Sequence, residues 1–294
     1  MSPAVRQVLG LTLGAAAVFV LLRSLPDTHC AFLHADHQPV VVEGVEFCGE
    51  NEEANFYDPD ALHFPFSLKV EPNADLSGGT LRILDEEGHD VPAHELAISH
   101  TRQLHLHLVQ RTGGHAYLHL HPEPQAGGSW SFAFPPEFGA SFAGGRFDVY
   151  VDFMHARGRR TILLSTSSEW PTIHTDRPPD MSPLYQDFHV TRIDAEPLRA
   201  GLSVTLALAL ARSDGQPVVL RPLMGSLGHA VLVSDDGRHG YAHLHPSWTG
   251  REKGAAPELA FRLRLPAAGR YTLWVHVDDA GAERYAPVPV MVSE

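Results

Sequence analysis

One segment of this chain occurs twice, and that repetition constrains the fold more than any single motif. Leu104 to Pro122 (LHLHLVQRTGGHAYLHLHP) aligns without gaps, at an offset of 124 residues, with Gly228 to Pro246 (GHAVLVSDDGRHGYAHLHP). His105 falls on His229, Val109 on Val233, Gly113 on Gly237, His115 on His239 and Tyr117 on Tyr241. The run His119-Leu120-His121-Pro122 falls on His243-Leu244-His245-Pro246. The same offset sets Gly145-Arg146-Phe147 on Gly269-Arg270-Tyr271 and Tyr150-Val151 on Trp274-Val275. Self-similarity at a fixed period marks a tandem duplication. The length of 294 residues agrees, being about twice a common domain length.

Each copy reads as strands. Phe66 to Val70, Leu104 to Val109, Leu202 to Leu210, Phe261 to Leu265 and Tyr271 to Val277 alternate with a period of two, and 25 Gly and 23 Pro punctuate the chain. The pattern predicts an all-β fold: two tandem immunoglobulin-like antiparallel β-sandwiches of about seven strands each, following one N-terminal transmembrane helix. The expected boundaries are an anchor over residues 1–26, a first sandwich over 30–168, a Pro-rich linker over 169–187 and a second sandwich over 188–294. The aromatics Trp130, Phe132, Phe134, Phe147, Tyr150 and Trp274 sit at strand spacing and are expected in the core.

Between Arg6 and Arg23, the residues Gln7 to Leu22 carry no charge. As a helix they reach about 24 Å, and with snorkelling arginines Pro3 to Leu25 reaches about 34 Å, enough for a hydrocarbon core of about 30 Å. The following RSLPDTHC lacks small residues at alternating positions, and Asp-Thr-His before Cys30 does not suit lipoprotein processing. An uncleaved single-pass anchor in the inner membrane is therefore expected, with the lipid bilayer as its partner and the C-terminal body in the periplasm. In that oxidising compartment Cys30 and Cys48 are expected to form a disulfide worth about 3 kcal/mol. A metal site with His29, His34 and His37, or two free thiols, are the competing readings.

The 20 histidines nearly equal the 22 Lys and Arg together, and imidazole is the commonest metal ligand. Within each repeat two strands flank a turn, Thr112-Gly113-Gly114 in one and Asp235-Asp236-Gly237 in the other. Folding about those turns sets His105 opposite the region of His119 and His121, and His229 opposite that of His243 and His245. Residues i and i+2 of a strand share a face, so three imidazoles converge per hairpin, a geometry suited to copper or zinc. The candidate ligands are His105, His107, His119, His121, His229, His243 and His245; Val231 stands where the first copy has His107. Against this, Leu104, Leu106, Leu118 and Leu120 form the natural core face. That leaves the histidines on an outer face, solvated or bonded to local backbone, with no carboxylate or cysteine at a matching position in both copies.

A net charge of −13 without any Lys/Arg block excludes nucleic acid as a partner and suits basic protein surfaces. The acidic run with Glu50, Glu52, Glu53, Asp58 and Asp60 reads as a solvated loop. Gly225-Ser226-Leu227-Gly228 lacks the strand-turn-helix setting of a nucleophile elbow, no phosphate-binding loop is present, and no enzyme is expected.

The pattern Gly-His-x-Val followed by Tyr-x-His-x-His-Pro, then an aromatic-rich strand and a Gly-Arg-Tyr/Phe strand, resembles a poorly characterised bacterial family of secreted or membrane-anchored β-sandwich proteins. The resemblance covers about 60 residues of each copy, with Leu104 standing in place of the glycine that Gly228 supplies. It implies a sandwich fold and a metal-handling role suspected from the histidines, and brings no established activity. Two functions are therefore expected as alternatives. One is a non-enzymatic scaffold or accessory subunit docked on a membrane protein complex with basic periplasmic surfaces, with respiratory or photosynthetic electron transport as the host. The other is a periplasmic copper- or zinc-binding protein for metal delivery or resistance.

Overall fold

The computed structural model describes residues 2–24, 40–42, 45–47, 56–111, 116–135, 145–158, 160–171, 187–193, 198–236, 240–246 and 258–294. Cys30, Cys48, His115, His239, Glu50, Glu52, Glu53, the turn Thr112-Gly113-Gly114, Gly237 and residues 172–186 of the expected linker lie outside them. The chain divides into two compact units, Met1–His34 and Ala35–Glu294. The first contains helix α1 (Pro3–Ser24). Its stretch Pro3–Leu21, with a mean hydropathy of 1.8, is long and apolar enough to cross a membrane, a property that signal sequences share.

The second unit is built of strands. Its N-terminal part holds β1 (Val40–Val42), β2 (Val45–Phe47), β3 (Phe66–Pro72), β4 (Gly78–Asp85), β5 (Leu96–Ala97), β6 (Leu104–Gln110), β7 (Tyr117–Leu120), β8 (Glu123–Pro124), β9 (Trp130–Ala133), β10 (Gly145–His155) and β11 (Arg160–Trp170). The C-terminal part holds β12 (Phe188–Arg192), β13 (Leu198–Arg199), β14 (Ser203–Arg212), β15 (Leu220–Arg221), β16 (His229–Ser234), β17 (Tyr241–Leu244), β18 (Glu258–Arg264), β19 (Gly269–Asp279) and β20 (Ala282–Ser293). Apart from the β1-β2 pair, the first part has sheets ordered β3-β4-β9-β8 and β11-β10-β6-β7, and the second has β12-β14-β18 and β13-β20-β19-β16-β17. Strands β5 and β15 add to β10 and β19. Pairing is antiparallel except between β13 and β20.

In each part the two sheets bury an apolar layer. Phe132 and Phe134, from the first sheet's side, meet Trp170 of β11 at ring-centroid distances of 6.3 and 5.2 Å, and Phe147 meets it at 5.3 Å. In the second part Leu206, Leu208 and Leu210 of β14 share one core with Leu232, Leu273, Val288 and Phe261. Burying each such side chain stabilises the fold by about 1.5–3 kcal/mol.

The duplication carries through to pairing register. Leu106 faces Leu120 as Ala230 faces Leu244, Phe147 faces Gln110 as Tyr271 faces Ser234, and Met154 faces Ala97 as Asp278 faces Arg221. Strands β6, β7, β10 and β5 thus recur as β16, β17, β19 and β15.

One expectation is overturned. Leu104, Leu106, Leu118 and Leu120 do face the core, and the intervening histidines do lie on the other face, yet that face is not wet: every residue of β6 and β7 is buried. The face is covered by its own counterpart. Tyr117 stacks on Trp274 at 5.5 Å, and the equivalent pair, Tyr241 and Tyr150, meets at 4.6 Å. His105 lies 5.3 Å from His243, and the equivalent pair, His229 and His119, also lies at 5.3 Å. Reciprocal contacts of this kind define an isologous, two-fold-like packing, here between two copies within one chain.

Candidate metal centre

The strand period delivers His105 and His107 from β6, His119 from β7 and His121 just beyond it to one side of the first copy's sheet, and His229 and His243 with His245 to the same side of the second. Because the two faces meet, all seven sequence candidates converge in one seam. Three triads have ligating nitrogens within 4.8 Å of one another: His105-His119-His121, its repeat equivalent His229-His243-His245, and a central set, His107-His119-His243, that draws on both copies. Tetrahedral coordination at 2.0–2.1 Å separates nitrogens by roughly 3.3 Å, so small side-chain rotations close these sets around an ion.

Two tight turns orient the outermost ring of each triad. Ser99 and Arg102 bond reciprocally through their backbones, as do Leu223 and Ser226. The central residues have positive φ: His100 at 49° and Thr101 at 68° in the first turn, Met224 at 51° and Gly225 at 82° in the second. Such values mark the two-residue hairpin turn that glycine favours; the first copy holds a β-branched threonine there at a cost in strain. Each turn presents a carbonyl: Ser99 O accepts from His105 Nε2 at 3.1 Å, and Leu223 O from His229 Nε2 at 3.0 Å. A carbonyl only accepts, so both Nε2 atoms carry hydrogen and both Nδ1 atoms present lone pairs into the seam.

The other nitrogens follow. Asp152 Oδ2, on β10, accepts from His243 Nδ1 at 3.0 Å and from His107 Nε2 at 3.1 Å. His107 Nδ1 then accepts from the Tyr117 hydroxyl at 3.0 Å. With its proton on Nδ1, neutral His243 turns a bare Nε2 toward the bare Nδ1 of His229, 3.3 Å away. Two facing lone pairs repel. One positive charge resolves the contact, carried either by a second proton on His243 or by a cation shared between the two nitrogens. In the first copy His105 Nδ1 and His119 Nε2 stand 3.1 Å apart. Four further ring nitrogens in the seam, His119 Nδ1, His121 Nε2, His245 Nε2 and His276 Nδ1, are buried without a hydrogen-bonding partner. Buried polar atoms in that condition cost about 1–3 kcal/mol each and call for a partner, an ordered water or an ion.

Burial favours the neutral form, the one that binds metal, at His105, His107, His119, His121, His229, His245 and His276. It pushes His107 down to about 3 despite the opposing hydrogen bond to Asp152, and burial with the neighbouring His105 and Arg102 pushes His121 down to about 2. His119, His229 and His245 are likewise held well below the ordinary value, first by desolvation and then by neighbouring imidazoles. Burial alone raises the Asp152 carboxyl, but the His243 and His107 rings more than offset it, so Asp152 remains ionised. A buried carboxylate among these imidazoles favours a positive charge beside it, whether a proton on a ring or a metal cation.

Three residues of the seam escaped the sequence reading. Asp152 breaks the repeat, its equivalent being His276, so positions that match in both copies do not reveal it. His276 bonds Glu283 at 3.1 Å and stacks on Tyr285 at 4.0 Å. His100, on the strained turn, lies with its ring 3.9 Å from His245 of the other copy. The signal for Asp152 was present, since Asp148, Tyr150 and Asp152 alternate along β10 onto the histidine face. Tyr150 and Trp274, expected in a sandwich core, are buried in the seam instead. The expected disulfide Cys30-Cys48 lies outside the described residues.

Comparison with known proteins adds little chemistry. Residues 185–294, the second copy, match a family described as a domain of unknown function (DUF8832), consistent with a poorly characterised family. No curated protein matches the sequence. Among solved structures the chain is similar to a tetra-tandem repeat in the extending region of a large adhesion protein (11% identity, 78% of this chain, 49% of that one, TM-score 0.24). It is also similar to domains 4 and 5 of the S-layer protein SbsC (13% identity, 83% and 100%, TM-score 0.22). A third likeness is to a DUF4785 family protein from Legionella pneumophila (11% identity, 75% and 56%, TM-score 0.23). The chain thus spans about half the length of the adhesion-protein repeat.

Proposed function

We propose that this chain is a membrane-anchored, periplasm-facing protein that binds copper or zinc in the histidine seam between two duplicated immunoglobulin-like β-sandwiches, for metal delivery or resistance. The observation that carries the reading is the convergence of His229, His243 and His245, whose ligating nitrogens lie within 4.8 Å of one another while Leu223 O and Asp152 hold the first two rings from their far sides. Imidazole-only ligand sets suit copper and zinc, and a three-histidine set keeps a fourth position for water, substrate or an incoming partner ligand. The apolar helix supports attachment to a membrane, and the poorly characterised family suspected from the Tyr-x-His-x-His-Pro motif fits a metal-handling role. A scaffold on a membrane complex draws on the charge of −13 and the apolar helix, and on no feature of the seam.

The test is elemental analysis of full-length protein, purified in mild detergent, stripped with chelator and reloaded with copper or zinc salts. Stoichiometric metal supports the reading, and a protein that leaves a desalting column metal-free overturns it. Co-purification with a membrane complex, from preparations that hold no metal, would favour the scaffold.

A further inference from the structure

The two outer triads are built from equivalent residues and differ in what stands behind them. Behind His243 stands Asp152 of the other copy, which accepts its Nδ1 hydrogen at 3.0 Å and so fixes Nε2 as the coordinating nitrogen. The residue equivalent to Asp152 is His276, which turns its Nε2 away to Glu283 at 3.1 Å. His276 has its ring centroid 5.6 Å from that of His119, whose Nδ1 has no hydrogen-bonding partner. No described carboxylate orients the first-copy triad. A carboxylate hydrogen-bonded behind a metal-bound imidazole fixes its tautomer and raises its basicity, and losing one typically lowers metal affinity 10–100-fold.

We infer that the seam, on the metal-binding reading above, holds two ions of unequal affinity. The tighter sits at His229-His243-His245, and Asp152, contributed by the other copy, is the positioning residue that makes it tighter. The count of two follows from the sets themselves. The outer triads share no residue, while the central triad takes His119 from one and His243 from the other, so an ion there excludes both. The inequality gives the protein one retained ion and one exchangeable ion in the same seam, an arrangement suited to passing metal on without emptying the seam.

The experiment is competition titration of the full-length protein with zinc ion against a chromophoric chelator. The wild type is expected to bind two ions with affinities at least tenfold apart. Single-triad variants assign them: His121→Ala removes only the weaker class, and His245→Ala only the tighter. In the His121→Ala background Asp152→Asn lowers the remaining affinity 10–100-fold, whereas in the His245→Ala background it changes the remaining affinity less than threefold. The reverse graft, His276→Asp, supplies a carboxylate behind His119 and tightens the weaker class, a gain that no unfolding artefact imitates. Two equal affinities, or an equal effect of Asp152→Asn in both backgrounds, overturns the inference and leaves the metal reading standing. A wild type that binds no zinc or copper overturns both.

Discussion

His105-His119-His121 and His229-His243-His245 sit at matching places in two copies of one hairpin, and their outermost rings are held by matching turns. Two divergences set the hydrogen bonding behind them. His107 of the first copy is Val231 in the second, and Asp152 of the first is His276 in the second. Because the copies pack face to face, these first-copy residues act on the other side: Asp152 and His107 form a relay whose far end is His243. What the difference teaches is that duplication fixed the imidazoles, while divergence at a few seam positions set their protonation and orientation. An environment, and not a ligand set, separates the two triads.

The comparison breaks most completely if its shared members are removed. His119→Ala with His243→Ala takes one ligand from each outer triad and two from the central one, and bound copper or zinc is expected to fall to background by elemental analysis while far-ultraviolet circular dichroism still reports strands. Full retention of metal in that double variant would place the binding elsewhere in the chain.

Next in size is the strap at the seam's edge. Arg111 Nε bonds the buried Asp148 at 2.6 Å, and Arg111 Nη2 donates across to Ser234 O of the other copy at 3.0 Å. The second copy has Asp235 at the equivalent position. Arg111→Met strips a buried carboxylate of its strongest partner and is expected to cost about 3 kcal/mol in denaturant unfolding, a fraction of which reflects the lost cross-copy bond. A change under about 0.5 kcal/mol would show that the strap contributes nothing.

Acidification sharpens the role of burial. His107, His119, His121, His229 and His245 bind fewer protons folded than unfolded because burial lowers their folded values, so stability is present above the unfolded value of about 6.5 and is lost as pH falls toward the folded values, about 3 for His107. Metal-stripped protein should therefore lose stability steadily between pH 7.5 and 5, read from urea midpoints. His107→Val, which makes the first copy resemble the second, should flatten that slope. Stability that stays level or rises on acidification contradicts buried, neutral imidazoles.

The smallest expected effect is at Tyr117, whose hydroxyl bonds His107 Nδ1. Tyr117→Phe should cost about 1 kcal/mol and lower Tm by a few degrees, with metal stoichiometry unchanged. Loss of metal on this change would move Tyr117 from support of His107 into the site itself.

Much of the architecture was legible. Period-two runs predicted strands where β3, β6, β14, β18 and β19 lie, because alternation is imposed by the pleat whatever the tertiary setting. The offset of 124 foretold the paired register of β6-β7 and β16-β17, because register follows from the hydrophobic pattern and the turn. What could not be read was the cover over the histidine face. Polar side chains alternating with leucines look the same whether water or a second polar face lies opposite, so a solvated outer face stood beside the metal and backbone-bonded readings of His105 and His107. Asp152 was hidden for a related reason: a search for matching residues in both copies discards the asymmetric one, and here the asymmetric residue sets the tautomer.

Arg111 and Asp235 are repeat equivalents and stand 3.7 Å apart as an ion pair. A dimer of one copy has no access to that pairing, since residues beside a two-fold axis meet their own symmetry mates, here arginine onto arginine. Joining the copies in one polypeptide lifts the constraint and replaces association by an intramolecular step at roughly millimolar effective concentration. The seam therefore behaves as a heterodimer interface that cannot exchange partners and cannot be diluted apart, and whatever it holds is held at any protein concentration in the cell.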